Sequence, residues 1–246
     1  MYYVDDYIHS GDFYDEVNKE KQDDVSFYLD ICREYGGNVC EACCGTGRIT
    51  IPLALQGIDI VGFDRSESMI KRGKKKAQEL GVNVSFWVSE LTENICDKQF
   101  DIVICPFNSL QYFYNFEQIR MAFFSIRQLL KDNAILCFDV FNPKISKLAI
   151  SVNDSFLAER KVSDNISIRE ESVYNAVDQV IRTTWEVLNQ EKQVRKCVLD
   201  SRCYFPQELD NLLRLFGYKI EYKWGDFCRT SFSAASPKQV IVARKC

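Results

Sequence analysis

Three carboxylates and a glycine turn are spaced along this chain as a small-molecule site needs them. Residues 38–48 read Asn-Val-Cys-Glu-Ala-Cys-Cys-Gly-Thr-Gly-Arg, so an apolar run reaches Glu41, crosses small residues and turns at Gly45 and Gly47. Glycine accepts positive φ and lets a ligand approach bare backbone. The N–H groups of a helix start just beyond suit polar or anionic ligand groups. Asp64 and Glu90 stand at the ends of two later apolar runs. Carboxylates so placed accept hydrogen bonds from hydroxyls and amino groups. Glu41 would repel a pyrophosphate but attract an ammonium.

The same turn carries Cys40-x-x-Cys43 followed by Cys44, a spacing open to zinc or redox chemistry. A structural zinc site takes four ligands, yet there is no second CxxC and the single histidine, His9, is distant in sequence. The eleven cysteines are odd in number and scattered, and Cys105 and Cys137 fall inside apolar runs. Buried thiols in a reducing cytoplasm account for them better than a disulfide framework. No metal is expected.

The elements that must position these groups follow from periodicity. Val25, Tyr28, Leu29 and Cys32 share one face of a helix stopped by Gly36-Gly37. Residues 38–43, 58–63, 82–88, 100–105 and 134–140 read as strands. Helices are predicted at 48–56, from the N-cap Ser66 to Leu80, and at 117–130. The run 100–105 is nearly continuous in apolar character, as in strands buried on both faces of a parallel sheet. Alternating strands and helices give right-handed βαβ units and a doubly wound α/β sheet with helices on both faces.

Beyond Phe141-Asn142-Pro143 the pattern changes to four β-rich segments at 155–161, 166–174, 179–188 and 193–204, with turns at Asp164-Asn165 and 189–191. They read as an antiparallel insertion after the fifth strand. A helix from Pro206 to Phe216 and strands at 218–224 and 238–245 finish the chain. The expected organisation is one domain over 1–246: an N-terminal helical cover at 1–37, a core at 38–143, an antiparallel lid at 154–205 and a C-terminal unit at 206–246.

At 246 residues and a net charge of −4 the chain has no general attraction to nucleic acid or anionic membrane. The basic run Lys71-Arg72-Gly73-Lys74-Lys75-Lys76 reads first as a solvated helix face near a helix C-terminus, with nucleic-acid binding the lesser reading. No signal peptide or membrane-spanning run is visible, which places the chain in the cytoplasm, as a monomer or homodimer.

Three ligand classes use a strand, a glycine turn and a helix. A triphosphate loop ends in Gly-Lys-Ser/Thr, whereas Gly47 is followed by Arg48-Ile49. The nicotinamide pattern asks for a third glycine where Thr50 stands. Glu41, Asp64 and Glu90 together favour S-adenosylmethionine. Here the sequence resembles the class I S-adenosylmethionine-dependent methyltransferases over nearly its whole length. The resemblance rests on residues 39–48, on Gly62-Phe63-Asp64-Arg65-Ser66-Glu67-Ser68-Met69-Ile70, on Phe100-Asp101-Ile102-Val103-Ile104-Cys105-Pro106-Phe107-Asn108-Ser109-Leu110, and on Asp139-Val140-Phe141-Asn142-Pro143. The tail motifs Arg202-Cys203-Tyr204-Phe205-Pro206-Gln207-Glu208-Leu209 and Gly225-Asp226-Phe227 add to it.

The resemblance implies a seven-stranded Rossmann-like sheet, S-adenosylmethionine as cofactor and S-adenosylhomocysteine as product. It assigns Glu41, Gly45 and Gly47 to the methionine part, Asp64 to the ribose, Arg65 and Met69 to the adenine faces, and Glu90 and Leu91 to its edge. Pro106 backbone would line the methionine side, with Cys43 and Tyr14 beside the cofactor. The chain departs from the family pattern in having Cys43 at a frequent glycine, Asp132-Asn133 for Gly-Gly, and Tyr112 where close relatives often carry histidine.

Methyl transfer from a sulfonium is an in-line displacement, so holding the acceptor in near-attack geometry and excluding water does much of the work. An amine acceptor need only be neutral; a hydroxyl gains from a base. Tyr14, Asn108 and Tyr112 are the candidates beside the methyl group, with His9 a further base if the N-terminus folds over. Cys-Pro-Phe-Asn at 105–108 differs from the Asn/Asp-Pro-Pro-Tyr/Phe clamp of base and glutamine methyltransferases. The expected partner is a small-molecule acceptor, N or O, and not nucleic acid or membrane. A cofactor-binding protein without turnover, a methyltransferase of protein or RNA, and a nicotinamide reductase are the other readings.

Overall fold

The computed structural model describes residues 10–19, 21–93, 96–153, 156–162, 166–189 and 192–246. His9 and the turn at Asp164-Asn165 lie outside these residues, as do 190–191 of the second predicted turn.

In chain order, α1 (Gly11–Val17) and α2 (Asp23–Tyr35) lead into β1 (Val39–Ala42), α3 (Thr50–Leu55), β2 (Ile60–Asp64), α4 (Glu67–Glu79) and β3 (Phe86–Val88). Then come β4 (Phe100–Cys105), a 3₁₀ turn (Ser109–Tyr112), α5 (Phe116–Leu129), β5 (Leu130–Phe141) and α6 (Ile145–Asn153). A meander of β6 (Phe156–Lys161), β7 (Ile166–Asn175), β8 (Val180–Asn189) and β9 (Lys192–Arg202) precedes α7 (Pro206–Leu215), β10 (Tyr218–Trp224) and β11 (Lys238–Lys245).

Seven strands form one sheet in the order β10-β11-β5-β4-β1-β2-β3, and β6 to β9 form a second, four-stranded sheet. Strands β1 to β5 pair in parallel, while β11 and β10 close the edge antiparallel. The sheet is buried on both faces because its residues alternate between two apolar layers. Ile102 and Ile104 face Phe27, Tyr28, Ile31 and Leu53, whereas Val103 and Cys105 belong to the layer of Phe123, Ile126, Leu213 and Tyr218. Each such fully buried large side chain contributes about 1.5–3 kcal/mol.

The predicted fold is the observed one, with local differences. The helix expected from Arg48 begins at Thr50, because Cys44 to Ile49 are spent in the turn. The strand expected at 82–88 shortens to 86–88, and β5 starts at Leu130, four residues early, through an irregular pairing with Phe100. Asn133 takes φ +61°, the left-handed conformation that suits Asn at that departure from Gly-Gly. The basic run on α4 is not wholly solvated. Arg72 and Lys76 reach Asp15 of α1 at 3.0 and 2.8 Å, and Thr46 donates to Asp15 at 2.6 Å. These contacts outweigh the burial of Asp15 and hold its pKa below the usual carboxylate value. Two cations of a seemingly idle helix face thus fasten the N-terminal cover to the core.

Candidate active site

At the carboxyl ends of the parallel strands lies a cavity of about 460 Å³, within the range of small-molecule sites. It runs from the Gly45 turn to Trp185 and Leu199 of the four-stranded sheet, with Phe13, Tyr14 and Val17 of α1 along it.

The turn is built from left-handed residues: Cys43, Gly45 and Gly47 have φ of 58°, 54° and 74°. A Cβ on Gly45 would meet nothing within 4 Å, so one side of the turn opens on the cavity that Gly45 lines. Gly47 faces the other way. A Cβ there would come within 2.8 Å of Phe86 and 3.1 Å of Ile51, and Gly47 is not among the lining residues. Cys43 occupies a left-handed conformation that costs a non-glycine residue about 1–2 kcal/mol. Its thiol is hydrogen-bonded with Cys105, and this with burial raises its pKa well above the usual value.

Asp64 joins two strand ends. Its carboxylate accepts from Gly45 N at 3.0 Å and from Ser66 N at 2.8 Å, so it fixes the glycine turn and caps the start of α4 together. Acceptor capacity remains on both oxygens, since a carboxylate offers about four lone-pair sites. Glu41 is buried at the base of the turn, where Thr50 Oγ1 donates to it. Burial pushes its carboxyl up to about 8, against the opposing effects of Thr50 and Arg48. Glu90 is also raised by burial, with Arg65 opposing.

Tyr14 meets Phe107 edge-on at 6.2 Å, and Arg48 lies over the same Phe107 ring at 4.7 Å. Burial raises the Tyr14 phenol to about 12 despite its hydrogen bond with Arg48, and burial likewise raises Tyr112. Both are therefore protonated at neutral pH.

After β4 the backbone is forced. Phe107 and Asn108 take φ of 60° and 62° in succession, a strained pair for residues with side chains. Asp139, fully buried, holds them there: it accepts from Phe107 N at 2.7 Å, from Tyr28 Oη at 2.8 Å and from Lys238 Nζ at 2.7 Å. Lys238 also approaches Asn108 Oδ1 at 3.4 Å. Gln111 then ties this loop to the second sheet, donating to Arg202 O at 2.8 Å and accepting from Phe141 N at 3.2 Å.

Of the residues singled out in the sequence, Tyr14, Glu41, Cys43, Gly45, Asp64, Arg65, Met69, Glu90, Leu91 and Pro106 line this one cavity, as do Asn108 and Tyr112. Gly47 does not. Phe107, read with Pro106 and Asn108 as facing the turn, lines it too; sequence reasoning gave no role to Arg48, Lys21 or the insertion residues Arg160, Glu170 and Trp185, all of which line it. Arg48 carried a signal, a cation directly after the turn. The insertion carried none, because alternation alone does not say which face turns inward. Among the described residues no three metal-ligating side chains cluster, and all eleven cysteines are free thiols.

The donor set suits a cofactor that is cationic at sulfur and nitrogen. Three acids stand at one end, the turn is open at Gly45, and Arg48 Nε is buried without a partner. Fold and cavity define a Rossmann-like α/β protein with a small-molecule-sized cavity at its strand ends.

Comparison with known proteins narrows the class. Residues 39–133 match the family described as "Methyltransferase domain". A Bacillus subtilis relative bearing a methyltransferase name, YqeM, is 26% identical over 235 residues, 94% of each chain. A second match, to a Geobacillus relative, spans about half of each chain (52% of this one, 54% of that). The structure of the CcbJ methyltransferase from Streptomyces caelestis superposes with a TM-score of 0.86 at 20% identity, covering 97% of this chain and 98% of that one. S-adenosylmethionine-bound CalS10 from Micromonospora echinaspora, an amino pentose methyltransferase, gives a TM-score of 0.74 at 15% identity over 100% and 99%. Residues 39–133 thus resemble a methyltransferase domain, and nearly the whole chain shares the fold of these solved methyltransferases.

Proposed function

We propose that this protein transfers the methyl group of S-adenosylmethionine to a nitrogen of a small molecule. The observation that carries the reading is the course of the cavity. It continues past the glycine turn into a chamber walled by α1 and by β6 to β9, and among the described residues no histidine lines it. The phenols of Tyr14 and Tyr112 hold their protons near neutral pH. A neutral amine needs no base, whereas a hydroxyl would. The amino pentose named for CalS10 favours the same class.

Bound S-adenosylmethionine would supply a methyl group already activated by its sulfonium. Glu41 would hold the ammonium, Arg48 with Tyr14 the carboxylate, Asp64 the ribose hydroxyls, Arg65 and Met69 the adenine faces, and Glu90 with Leu91 its edge. Cys43, Gly45 and Pro106 backbone would shape the methionine channel. Tyr14, Asn108 and Tyr112 would orient the acceptor by hydrogen bonding and exclude water. Residues 1–37 serve as cover, 38–143 as cofactor core, 154–205 as acceptor lid and 206–246 as the closing unit of one domain.

The test is isothermal titration with S-adenosylmethionine and S-adenosylhomocysteine, followed by transfer of labelled methyl into a metabolite extract. Micromolar binding and label in a small amine support the reading. Binding without transfer to any pool favours a cofactor-binding protein, and no binding of either ligand overturns it.

A further inference from the structure

The cavity is electrically divided. Glu41, Asp64 and Glu90 line the cavity beside the glycine turn, and Lys21 with Arg160 and Trp185 of the insertion sheet line it as well. Lys21, exposed at the rim, has its Nζ 5.2 Å from the Phe107 ring centre and has no carboxylate partner among the described residues. Arg160 of β6 stacks over Trp185 of β8 at 5.3 Å and pairs with Glu170 at 3.5 Å. The indole Nε1–H of Trp185 is buried without a hydrogen-bond partner. Folded proteins rarely leave such a donor unsatisfied, because it forfeits its hydration without return. Partial burial and then Arg160, Lys238 and Arg48 lower the pKa of Lys21, with Asp23 opposing, and an anion would relieve the repulsion among the cations.

We infer that the acceptor carries an acid group, carboxylate or phosphate, held at the lid end of the cavity by Lys21, Arg160 and Trp185. This rests on the methyl-transfer reading for the identity of the ligand as acceptor, but not for the anion site itself. The geometry suits the acid group. Ammonium, guanidinium and indole offer only donors, and an anion supplies acceptor lone pairs to all three. Among the described insertion residues that line the cavity Glu170 is the carboxylate, and it pairs with Arg160. The cofactor's own carboxylate is the competing occupant, because Lys21 shares the Phe107 ring with Arg48; Arg160 and Trp185 belong instead to the insertion sheet.

The experiment is a ³¹P NMR titration with inorganic phosphate, on the free protein and on the protein saturated with S-adenosylhomocysteine. Trp185 indole N–H is followed in ¹H–¹⁵N spectra and assigned with Trp185→Phe. The expected result is saturable binding in both forms, a shift of the Trp185 resonance, and at least fivefold weaker binding in Lys21→Met and in Arg160→Met with unchanged thermal melting. In matched methyl-transfer pairs such as ethanolamine and phosphoethanolamine, the acidic member is preferred about tenfold or more, and Lys21→Met removes that preference. Loss of phosphate on loading with S-adenosylhomocysteine would mean that the cations serve the cofactor's carboxylate, and overturns the inference. So does the absence of saturable binding, binding that the two variants leave unchanged, or equal use of the neutral members. If S-adenosylhomocysteine fails to bind, the methyl-transfer reading falls, and the titration of the free protein still decides the anion site.

Discussion

Arg48 and Asp24 meet in a two-pronged ion pair, with nitrogen–oxygen distances of 2.6 and 2.5 Å and the Asp24 side chain only 2% exposed. Arg48 also donates to Lys21 O at 3.0 Å and lies over Phe107. One guanidinium thus links the start of α2, the segment before it and the strained loop after β4. Its planar fork is what allows several fixed contacts at once, and a lysine would not reproduce them.

Asp24→Ala leaves that guanidinium buried without its counter-charge. The expected cost is about 3–5 kcal/mol of stability, because desolvation is then uncompensated. Urea unfolding measures it. A loss below about 1 kcal/mol would show that the pair is dispensable.

Asp64→Ala removes the acceptor that joins the Gly45 turn to the start of α4, along with the proposed ribose contacts. Two or more charge-assisted hydrogen bonds at about 1.5–3 kcal/mol each correspond to an affinity loss of at least about 100-fold. Isothermal titration with S-adenosylhomocysteine reads it directly, and a loss under fivefold would exclude Asp64 from the ribose site.

Glu41 couples cofactor binding to protons. Between its ordinary value of 4.5 and about 8, the folded chain keeps a proton that the unfolded chain has released. This group's contribution to stability is therefore complete below pH 4.5 and is lost as pH rises through 8. An arriving ammonium favours the ionised form, so binding at pH 7 should release close to one proton. Titrations in buffers of different ionisation enthalpy would detect it. Glu41→Gln should abolish the release, weaken the cofactor and raise the melting temperature of the cofactor-free protein above pH 8.

Tyr14→Phe and Tyr112→Phe test the absence of a phenolate base. Each variant should keep kcat within about tenfold of the parent, the cost of a lost orienting hydrogen bond. The pH–rate profile should keep its shape, since the acceptor's own deprotonation sets it. Loss of the basic limb in either variant would assign a proton-transfer role.

Gly47→Ala separates packing from cofactor contact. Its Cβ would meet Phe86 at 2.8 Å and its φ is +74°, so stability should fall by about 1–3 kcal/mol. The folded variant should bind S-adenosylhomocysteine within about threefold of the parent. A larger loss would restore Gly47 to the binding site.

Much of the cofactor end was legible along the chain because its groups sit at strand ends, where apolar runs stop at an acid or a glycine. Glu41, Asp64 and Glu90 could be found there one by one, and the strand order brought them together. The short helices α1 and α6 and the 3₁₀ turn at Ser109–Tyr112 were not legible. Each is too short for periodicity to separate from a loop, and each is held by tertiary contacts, such as the clasp of Asp15 by Arg72 and Lys76.

The sequence by itself determined the doubly wound sheet and the antiparallel insertion, because hydrophobic period and turn chemistry are local properties. Only the tertiary structure decided that Gly47 packs on Phe86 instead of lining the cavity, and that Arg48 bridges Asp24 and Phe107. It alone placed Lys21, Arg160 and Trp185 at one end of the cavity. Those three are distant in sequence. They line one cavity because the insertion sheet lies against the strand ends.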